Sequence, residues 1–214
     1  MIGNIRVRVR EARREKLLAD QVRRLKNSGV TVFSSNCVGA VACHDLGMRF
    51  NSPTVNLFMK PADYLRFLGN IKGYLALGLR DAGINVGGGY PMGALGDLML
   101  HFVHYDSFEL ARAKWTERTK RVDLDNCCVV MVDRDGCTEG QAVEFDALPY
   151  DQKVFLTYRD IDGCGCAFSR SEWEDKKSSQ TVDLCAYVSP LSAQRKMDAF
   201  DWPDFFNAAG ACHV

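Results

Sequence analysis

The amino-acid sequence predicts an α/β protein, a three-layer α/β/α sandwich with a largely parallel or mixed central sheet. Short runs rich in β-branched residues alternate with amphipathic stretches, which is the pattern of strands separated by helices. The 214 residues are 47% hydrophobic and 25% charged, as in an ordinary soluble domain. No internal repeat or long linker divides the chain. We therefore expect one domain over residues 30–214, with a basic helical segment, residues 1–29, packed on it.

The first half of the chain begins with an Arg-rich amphipathic helix over residues 11–26, which ends at an Asn-Ser-Gly turn. The β-branched and aromatic residues of 30–34 predict a buried strand, followed by a small-residue turn and a short helix. A second strand covers residues 54–59. Pro61 suits the first turn of the long helix 61–79, because its missing N–H is not needed there.

In the second half of the chain, a glycine tract over residues 87–89 is predicted as a loop, without the spacing of a nucleotide-phosphate cradle. Helices are predicted over 107–121, over 137–148 and near the C-terminus, with a last strand over 181–188. The strands assigned to the central sheet are 30–34, 54–59, 98–104, 127–132 and 153–158.

Charge is balanced overall but not along the chain. The sequence contains 27 basic and 27 acidic residues, so no net field attracts nucleic acid, and a nucleic-acid partner is not expected. Residues 1–26 carry a net charge of +6, and residues 133–214 one of −7. We interpret the basic segment as packed near the acidic C-terminal third, or as a solvated helix face. The alternative is a docking segment for an acidic partner, a membrane surface or a membrane-bound enzyme.

Neither a signal-peptide stretch nor a run of about 18 apolar residues is present, so we expect a cytoplasmic protein. The nine cysteines are an odd number, and in a reducing compartment we expect mostly free thiols. Cys164 and Cys166 are close enough in sequence to share a metal. Because no second Cys or His pair follows at zinc-site spacing, no metal site is predicted.

Several separated motifs carry a family resemblance. In chain order they are SSNCVGA, HDLGMRFNSPTVNLFM, DYLRFLGNIKGYL, YPMGALGDLMLHFVHY, KWTERTKRVDLDN and EFDALPYDQKVFLTY. They resemble a bacterial domain of unknown function whose members are usually assigned to exopolysaccharide or capsule biosynthesis. The resemblance covers about residues 30–160 and implies an association with glycan assembly. The segment after Asp160, with its two cysteines, looks specific to this member.

The chemistry is predicted to centre on Cys37, which follows the first strand at the entry to a helix. In open α/β sheets, ligands gather outside the carboxyl ends of the strands. A helix N-terminus favours the thiolate, so we expect the pKa of Cys37 to fall from about 8.5 toward 7 or below. Ser35 and Asn36 add donors, and Gly39 lets backbone N–H groups approach an oxyanion or a phosphate. In the family motif that this segment resembles, the residue after the cysteine is tryptophan, whereas here it is Val38. The alternative is that Cys37 is a buried small residue and Asn36 a helix cap.

Two histidines lie in the predicted strand 98–104. His101 and His104 are three residues apart and therefore point to opposite faces, so they do not share one metal ion. His104 lies near the carboxyl end of the strand and is predicted as the base. His101 is a further candidate for the site, and the alternative for either residue is a core histidine.

The helix 107–121 carries basic residues that suggest anion binding. Arg118 and Arg121 fall on neighbouring helical positions and are predicted to bind a phosphate or a carboxylate. Asp123 and Asn126 in the same motif, and Asn51 in a polar turn, are further ligand-binding candidates. The alternatives are a solvated helix face, an ion pair between Arg121 and Asp123, and a turn capped by Asn51.

Together these residues predict one concave site where the turn 35–39, one histidine, and Arg118 or Arg121 converge. The leading hypothesis is a transferase of surface-polysaccharide biosynthesis that uses Cys37 for acyl transfer and His104 as base. An alternative is a glycosyl- or phosphosugar transferase in which Cys37 is structural. The donor would be an acyl-CoA or a sugar nucleotide, and the acceptor a glycan precursor. A non-catalytic scaffold of a glycan pathway is the third alternative.

Overall fold

A computed structural model describes residues 2–210, with side chains described from residue 9 onward. Met1 and residues 211–214, which include Cys212, lie outside the described residues. The helices and strands are, in chain order, α1 (Ile2–Arg24), β1 (Thr31–Ser34), α2 (Cys37–Asp45), β2 (Phe58–Met59), α3 (Pro61–Gly69), α4 (Ile71–Leu75), β3 (Arg80–Ile84), β4 (Pro91–Leu95), β5 (Leu98–His101), α5 (Phe108–Thr119), β6 (Cys127–Val132), α6 (Glu139–Asp146), β7 (Lys153–Thr157), β8 (Ala167–Ser169), β9 (Glu174–Asp175), β10 (Gln180–Thr181) and α7 (Trp202–Ala208).

The central sheet contains four parallel strands in the order β1-β6-β7-β8. Its side chains alternate between two cores, one on each face, as expected of a parallel sheet covered on both sides. In β6, Val130 packs in the same core as Trp202 of α7, whereas Val129 packs in the core that contains Phe145 of α6. Helices α2 and α7 therefore cover one face, and α3, α5 and α6 cover the other. The predicted α/β fold with a largely parallel central sheet is confirmed.

Two strands predicted for the central sheet belong instead to a second, antiparallel sheet in the order β2-β5-β4-β3. Residues 54–59 contribute only β2, and residues 98–104 contribute β5, which ends at His101. The sequence does not predict β3 and β4, which flank the glycine tract 87–89, because glycine weakens the strand pattern. The prediction of a strand over 181–188 is wrong, because β10 ends at Thr181 and residues 182–188 belong to no strand. An apolar run thus predicts a strand but not its pairing.

Helix ends follow the capping residues. Ser107 caps α5 and Thr138 caps α6, each by accepting a backbone N–H with its side chain. The prediction of a single helix over 61–79 is wrong, because the helix is interrupted at Asn70. The side chain of Asn70 accepts the N–H of Gly73 and caps the start of α4. None of the helices within residues 2–210 has the length and apolarity needed to cross a membrane.

The N-terminal helix α1 begins at Ile2, earlier than the sequence predicts, and ion pairs connect it to acidic parts of the chain. Buried Arg14 pairs with Asp45 of α2 and, at 2.8 Å, with Asp198. Near the end of the helix, Arg24 pairs with exposed carboxylates at the start of α7. The basic segment and the acidic C-terminal third are therefore in direct contact.

Candidate functional site

A cavity of about 530 Å³ opens at the carboxyl edge of the central sheet, and we call it the carboxyl-edge cavity. Its lining includes Asn36 and Cys37, which follow β1, and Arg134 and Asp135, which follow β6. Strands β1 and β6 pair in parallel, so both deliver their following residues to the same edge. This is where ligands bind in open α/β sheets.

Two other parts of the chain complete the carboxyl-edge cavity. The turn after β5 contributes His104, and the irregular segment before α7 contributes Asp183 and Arg195. The guanidinium of Arg195 lies over the ring of Tyr187, 4.7 Å from its centroid, and its Nε is 3.3 Å from the carboxylate of Asp45. The cavity therefore brings together two arginines, a histidine and two aspartates.

Cys37 is the first residue of α2, and its Sγ lies 4.0 Å from the carbonyl oxygen of Leu57. Burial, together with the negative charge of Asp183, raises the pKa of the thiol to about 11. The lowered pKa predicted from the helix N-terminus is therefore wrong, because desolvation outweighs the helix dipole. Within the described residues, no hydrogen bond joins Cys37 to His104. The thiol is protonated at neutral pH.

The first turn of α2 uses its polar groups internally. Asn36 caps the helix by accepting the N–H of Val38 at 3.1 Å. The N–H of Gly39 donates to the Ser34 hydroxyl, and a β-carbon on Gly39 would lie 2.8 Å from Cβ of Ser34, so only glycine fits this close contact. Ser35 is buried, and its hydroxyl accepts a backbone N–H of β6. The N–H of Gly39 is therefore used within the protein, whereas the Ser35 hydroxyl keeps its own proton to donate, and the ligand-binding roles of both residues stay predictions.

The two histidines have different environments. They do not share a strand as predicted, because β5 ends at His101. His101 is buried, stacked on Phe58 with ring centroids 4.3 Å apart, and within hydrogen-bond distance of the Tyr90 hydroxyl. Burial lowers the pKa of His101, which favours the neutral imidazole. His104 is exposed and lines the same cavity as Cys37.

Arg118 and Arg121 do not line the carboxyl-edge cavity, so the predicted convergence is wrong for them. Arg118 is buried, donates to the Tyr105 hydroxyl at 2.7 Å and lies over the ring of Phe50. Arg121 donates to the carbonyl oxygen of Phe50 at 3.0 Å and pairs with Glu117. Both arginines therefore attach α5 to the loop between α2 and β2.

Three further predicted ligand-binding residues lie at the opposite, amino edge of the sheet. Asn51 donates to the carbonyl oxygen of Gly29, which precedes β1, at 2.9 Å. Asn126 exchanges side-chain hydrogen bonds with Asn27, and Asp123 accepts a backbone N–H in the turn before β6. Because β6 is six residues long, these groups are about 20 Å from the cavity. The prediction that they belong to the same site is wrong.

Four charged residues of the cavity were missed by the sequence analysis: Arg134, Asp135, Asp183 and Arg195. A signal existed for Arg134 and Asp135, because they directly follow a buried strand whose carboxyl end lies beside that of β1. No signal existed for Asp183 and Arg195, because they belong to an irregular segment. The sequence of this segment has no helical or strand periodicity that would predict where it lies.

Comparison with known proteins identifies a family that matches almost the whole chain. The family described as "Domain of unknown function (DUF1919)" matches residues 8–207. A protein of Haemophilus influenzae, described as "Uncharacterized protein", is 42% identical over 187 residues, which cover 87% of this chain and 88% of the relative. Because the family match extends to residue 207, the segment after Asp160 is not specific to this member, contrary to the sequence-based expectation. The chain belongs to the DUF1919 family.

Proposed function

We propose that this protein is a cytoplasmic transferase of bacterial surface-polysaccharide assembly, and that it binds a sugar nucleotide in the carboxyl-edge cavity. The observation that carries the proposal is the charged lining, in which Arg134, Arg195 and His104 face the same space as Asp135 and Asp183. Arginine presents a planar set of donors that suits phosphate oxygens. The link to polysaccharides rests on the motif resemblance given above.

Each part of a sugar nucleotide has a complement in the lining. The two arginines match the charge of a diphosphate, and the two aspartate carboxylates accept hydrogen bonds from sugar hydroxyls. Phe58 and Val41 offer apolar surface to a base or to a sugar ring. The cavity volume of about 530 Å³ is in the range of small-molecule sites. Acyl transfer through Cys37 is disfavoured because burial raises the pKa of this thiol to about 11, which makes it a poor nucleophile at neutral pH.

In the proposed reaction, a hydroxyl group of the glycan acceptor attacks the anomeric carbon of the donor sugar. The bond from this carbon to the phosphate oxygen breaks, and the nucleoside diphosphate leaves with the electron pair. Arg134 and Arg195 stabilise the charge that develops on the leaving group. His104, which is exposed on the cavity, takes the proton of the acceptor hydroxyl. Cys37 is a neutral part of the wall and forms no covalent intermediate.

A thermal-shift screen of sugar nucleotides and acyl-CoA tests this proposal. A ligand at 100 times its Kd adds about 2.7 kcal/mol to the free energy of unfolding, which gives a measurable rise in Tm. We expect a sugar nucleotide to raise the Tm of the wild type and of Cys37→Ala, and to have little effect on Arg134→Gln. The matched control is Arg80→Gln, because Arg80 is exposed on β3, outside the cavity. It should respond like the wild type.

Two results would contradict the proposal. Stabilisation by acyl-CoA alone, lost in Cys37→Ala, would favour acyl transfer through the thiol. No stabilisation by either donor class would favour the non-catalytic scaffold, whose N-terminal helix docks on a membrane-bound enzyme.

A further inference from the structure

Three side chains of types that can bind a metal ion lie close together outside the carboxyl-edge cavity. Asp146 is the last residue of α6, and Cys164 and Cys166 belong to the loop between β7 and β8. One ligand atom from each residue lies within 4.8 Å of the other two, and the two Sγ atoms are 3.9 Å apart. We call these three residues the Asp-Cys-Cys cluster.

The spacing of the two thiols is that of zinc ligands. Sulfur ligands about 2.3 Å from a tetrahedral zinc ion lie about 3.8 Å from each other. The observed Sγ–Sγ distance of 3.9 Å matches this separation. A disulfide needs about 2.05 Å between the sulfur atoms, so it requires the thiols to move together. The geometry favours a shared metal over a bond between the two cysteines.

The carboxylate of Asp146 is oriented by the loop that carries the two thiols. One carboxylate oxygen accepts the N–H of Gly165 at 3.0 Å, and the other accepts the N–H of Cys166, also at 3.0 Å. Each oxygen retains a lone pair for a metal ion. Hydrogen bonds of this kind hold a ligand in place before the metal binds, as outer-shell partners do in known metal sites.

Electrostatics at the end of α6 also favour a cation. The C-terminal end of a helix carries the negative end of the helix dipole, where a cation is favoured, and Asp146 lies in the last turn of α6. The ammonium group of Lys153 already donates to the carbonyl oxygens of Asp146 and Leu148. Two thiolates and one carboxylate carry three negative charges, which a divalent ion and Lys153 together balance.

We propose that Asp146, Cys164 and Cys166 bind a zinc ion, with water in the fourth position. Soft thiolates and one carboxylate form a donor set that suits zinc. On binding, both thiol protons are released to the solvent, and two Zn–S bonds and one Zn–O bond form. The metal would connect the end of α6 to the β7–β8 loop. None of the three residues lines the carboxyl-edge cavity, so this inference does not depend on the proposed function.

Metal titration of the reduced, full-length protein tests the zinc site. Zn²⁺ is titrated in competition with a chromophoric chelator, and Co²⁺ is titrated as a spectroscopic probe of thiolate ligation. We expect one tight Zn²⁺ per chain, a rise in Tm, and a sulfur-to-cobalt charge-transfer band. Loss of a ligand in Cys166→Ser or Asp146→Asn should weaken Zn²⁺ binding by at least about 100-fold, more than loss of an outer-shell partner.

The matched control is Cys137→Ser, because Cys137 is a half-buried thiol that is not part of the cluster. This variant should keep the affinity and the cobalt band of the wild type. Circular dichroism checks that every variant is folded, and Asp146→Asn tests the site without removing a thiol. The zinc site would be ruled out by the absence of stoichiometric Zn²⁺, by unchanged affinity in both cluster variants, or by loss of binding in Cys137→Ser alone.

Discussion

At Cys37 two opposing effects act on the same thiol. The dipole of a helix N-terminus stabilises a thiolate by about 0.3–1 kcal/mol, and up to about 2 kcal/mol in favourable partly buried positions. The structure raises the pKa from 9.0 to about 11, which corresponds to roughly 3 kcal/mol against the thiolate. Burial therefore dominates. A sequence shows that a cysteine begins a helix, but it does not show how much of the thiol is desolvated.

The first prediction concerns the reactivity of Cys37. Because its pKa is about 11 rather than 9.0, the thiolate fraction at pH 6.5 is about 100-fold lower than in the unfolded chain. We expect iodoacetamide to label Cys37 in the folded protein far more slowly than in urea, as measured by peptide mass mapping. The His104→Ala variant should label Cys37 at the wild-type rate. Preferential labelling of Cys37, lost in His104→Ala, would instead establish a Cys/His pair.

The second prediction concerns the pH dependence of stability at His101. Burial, followed by the positive charge of Lys60, lowers the pKa of His101 below its ordinary value of 6.5, whereas Asp63 and Asp135 oppose this change. Below about pH 6.5 the unfolded chain therefore binds more protons than the folded one, and stability falls as the pH falls.

Replacing His101 with Phe keeps a ring against Phe58 and removes the titrating group. Urea unfolding at pH 7.5 and pH 5.5 should show a smaller loss of free energy in His101→Phe than in the wild type. Equal losses in the two proteins would show that burial of His101 does not contribute to acid sensitivity.

At the scale of elements, local pattern predicts strands and helix starts better than it predicts partners. The apolar run of β6 and the helical patterns over 107–121 and 137–148 were sufficient to predict those elements. The sequence did not predict that β2 pairs outside the central sheet, because this pairing joins segments distant in sequence, and it did not predict β3 and β4, because glycine weakens their strand pattern. The second sheet is therefore visible only in three dimensions.

The third prediction concerns how α1 is attached. The side chains of Arg14, Asp45 and Asp198 are all less than 10% exposed. Removing the guanidinium therefore leaves the buried carboxylate of Asp198 without its cation and leaves Asp45 with only one arginine, Arg195, at 3.3 Å. We expect Arg14→Met to lower the free energy of unfolding by about 3–5 kcal/mol, as measured by urea denaturation. Arg13→Met is the matched control, because Arg13 is exposed on the same helix, and it should change stability by less than about 0.5 kcal/mol. Equal effects of the two substitutions would contradict the role of the ion pairs.

At the scale of the whole molecule, the parallel sheet determines where the candidate site lies. The rule that ligands bind at the carboxyl ends of strands was sufficient to predict the location of Asn36 and Cys37. It did not exclude Asn51, Asp123 and Asn126, because a motif does not reveal at which end of a strand its residues lie. The sequence also did not predict that Arg195 of the C-terminal segment lines the cavity, and this contact is visible only in the folded chain.

Calorimetric titration of UDP-glucose into the wild type and Arg134→Gln addresses the proposed donor site itself. A charge-assisted hydrogen bond contributes about 1.5–3 kcal/mol, so loss of the guanidinium should raise the Kd by about 10- to 100-fold. Arg80→Gln, outside the cavity, should keep the wild-type Kd. We expect the wild type, Arg80→Gln and Cys37→Ala to bind UDP-glucose with similar Kd values, and Arg134→Gln to bind it more weakly. Binding that is equally tight in Arg134→Gln, or that disappears in Cys37→Ala, would contradict a donor site built on the arginines of the carboxyl-edge cavity.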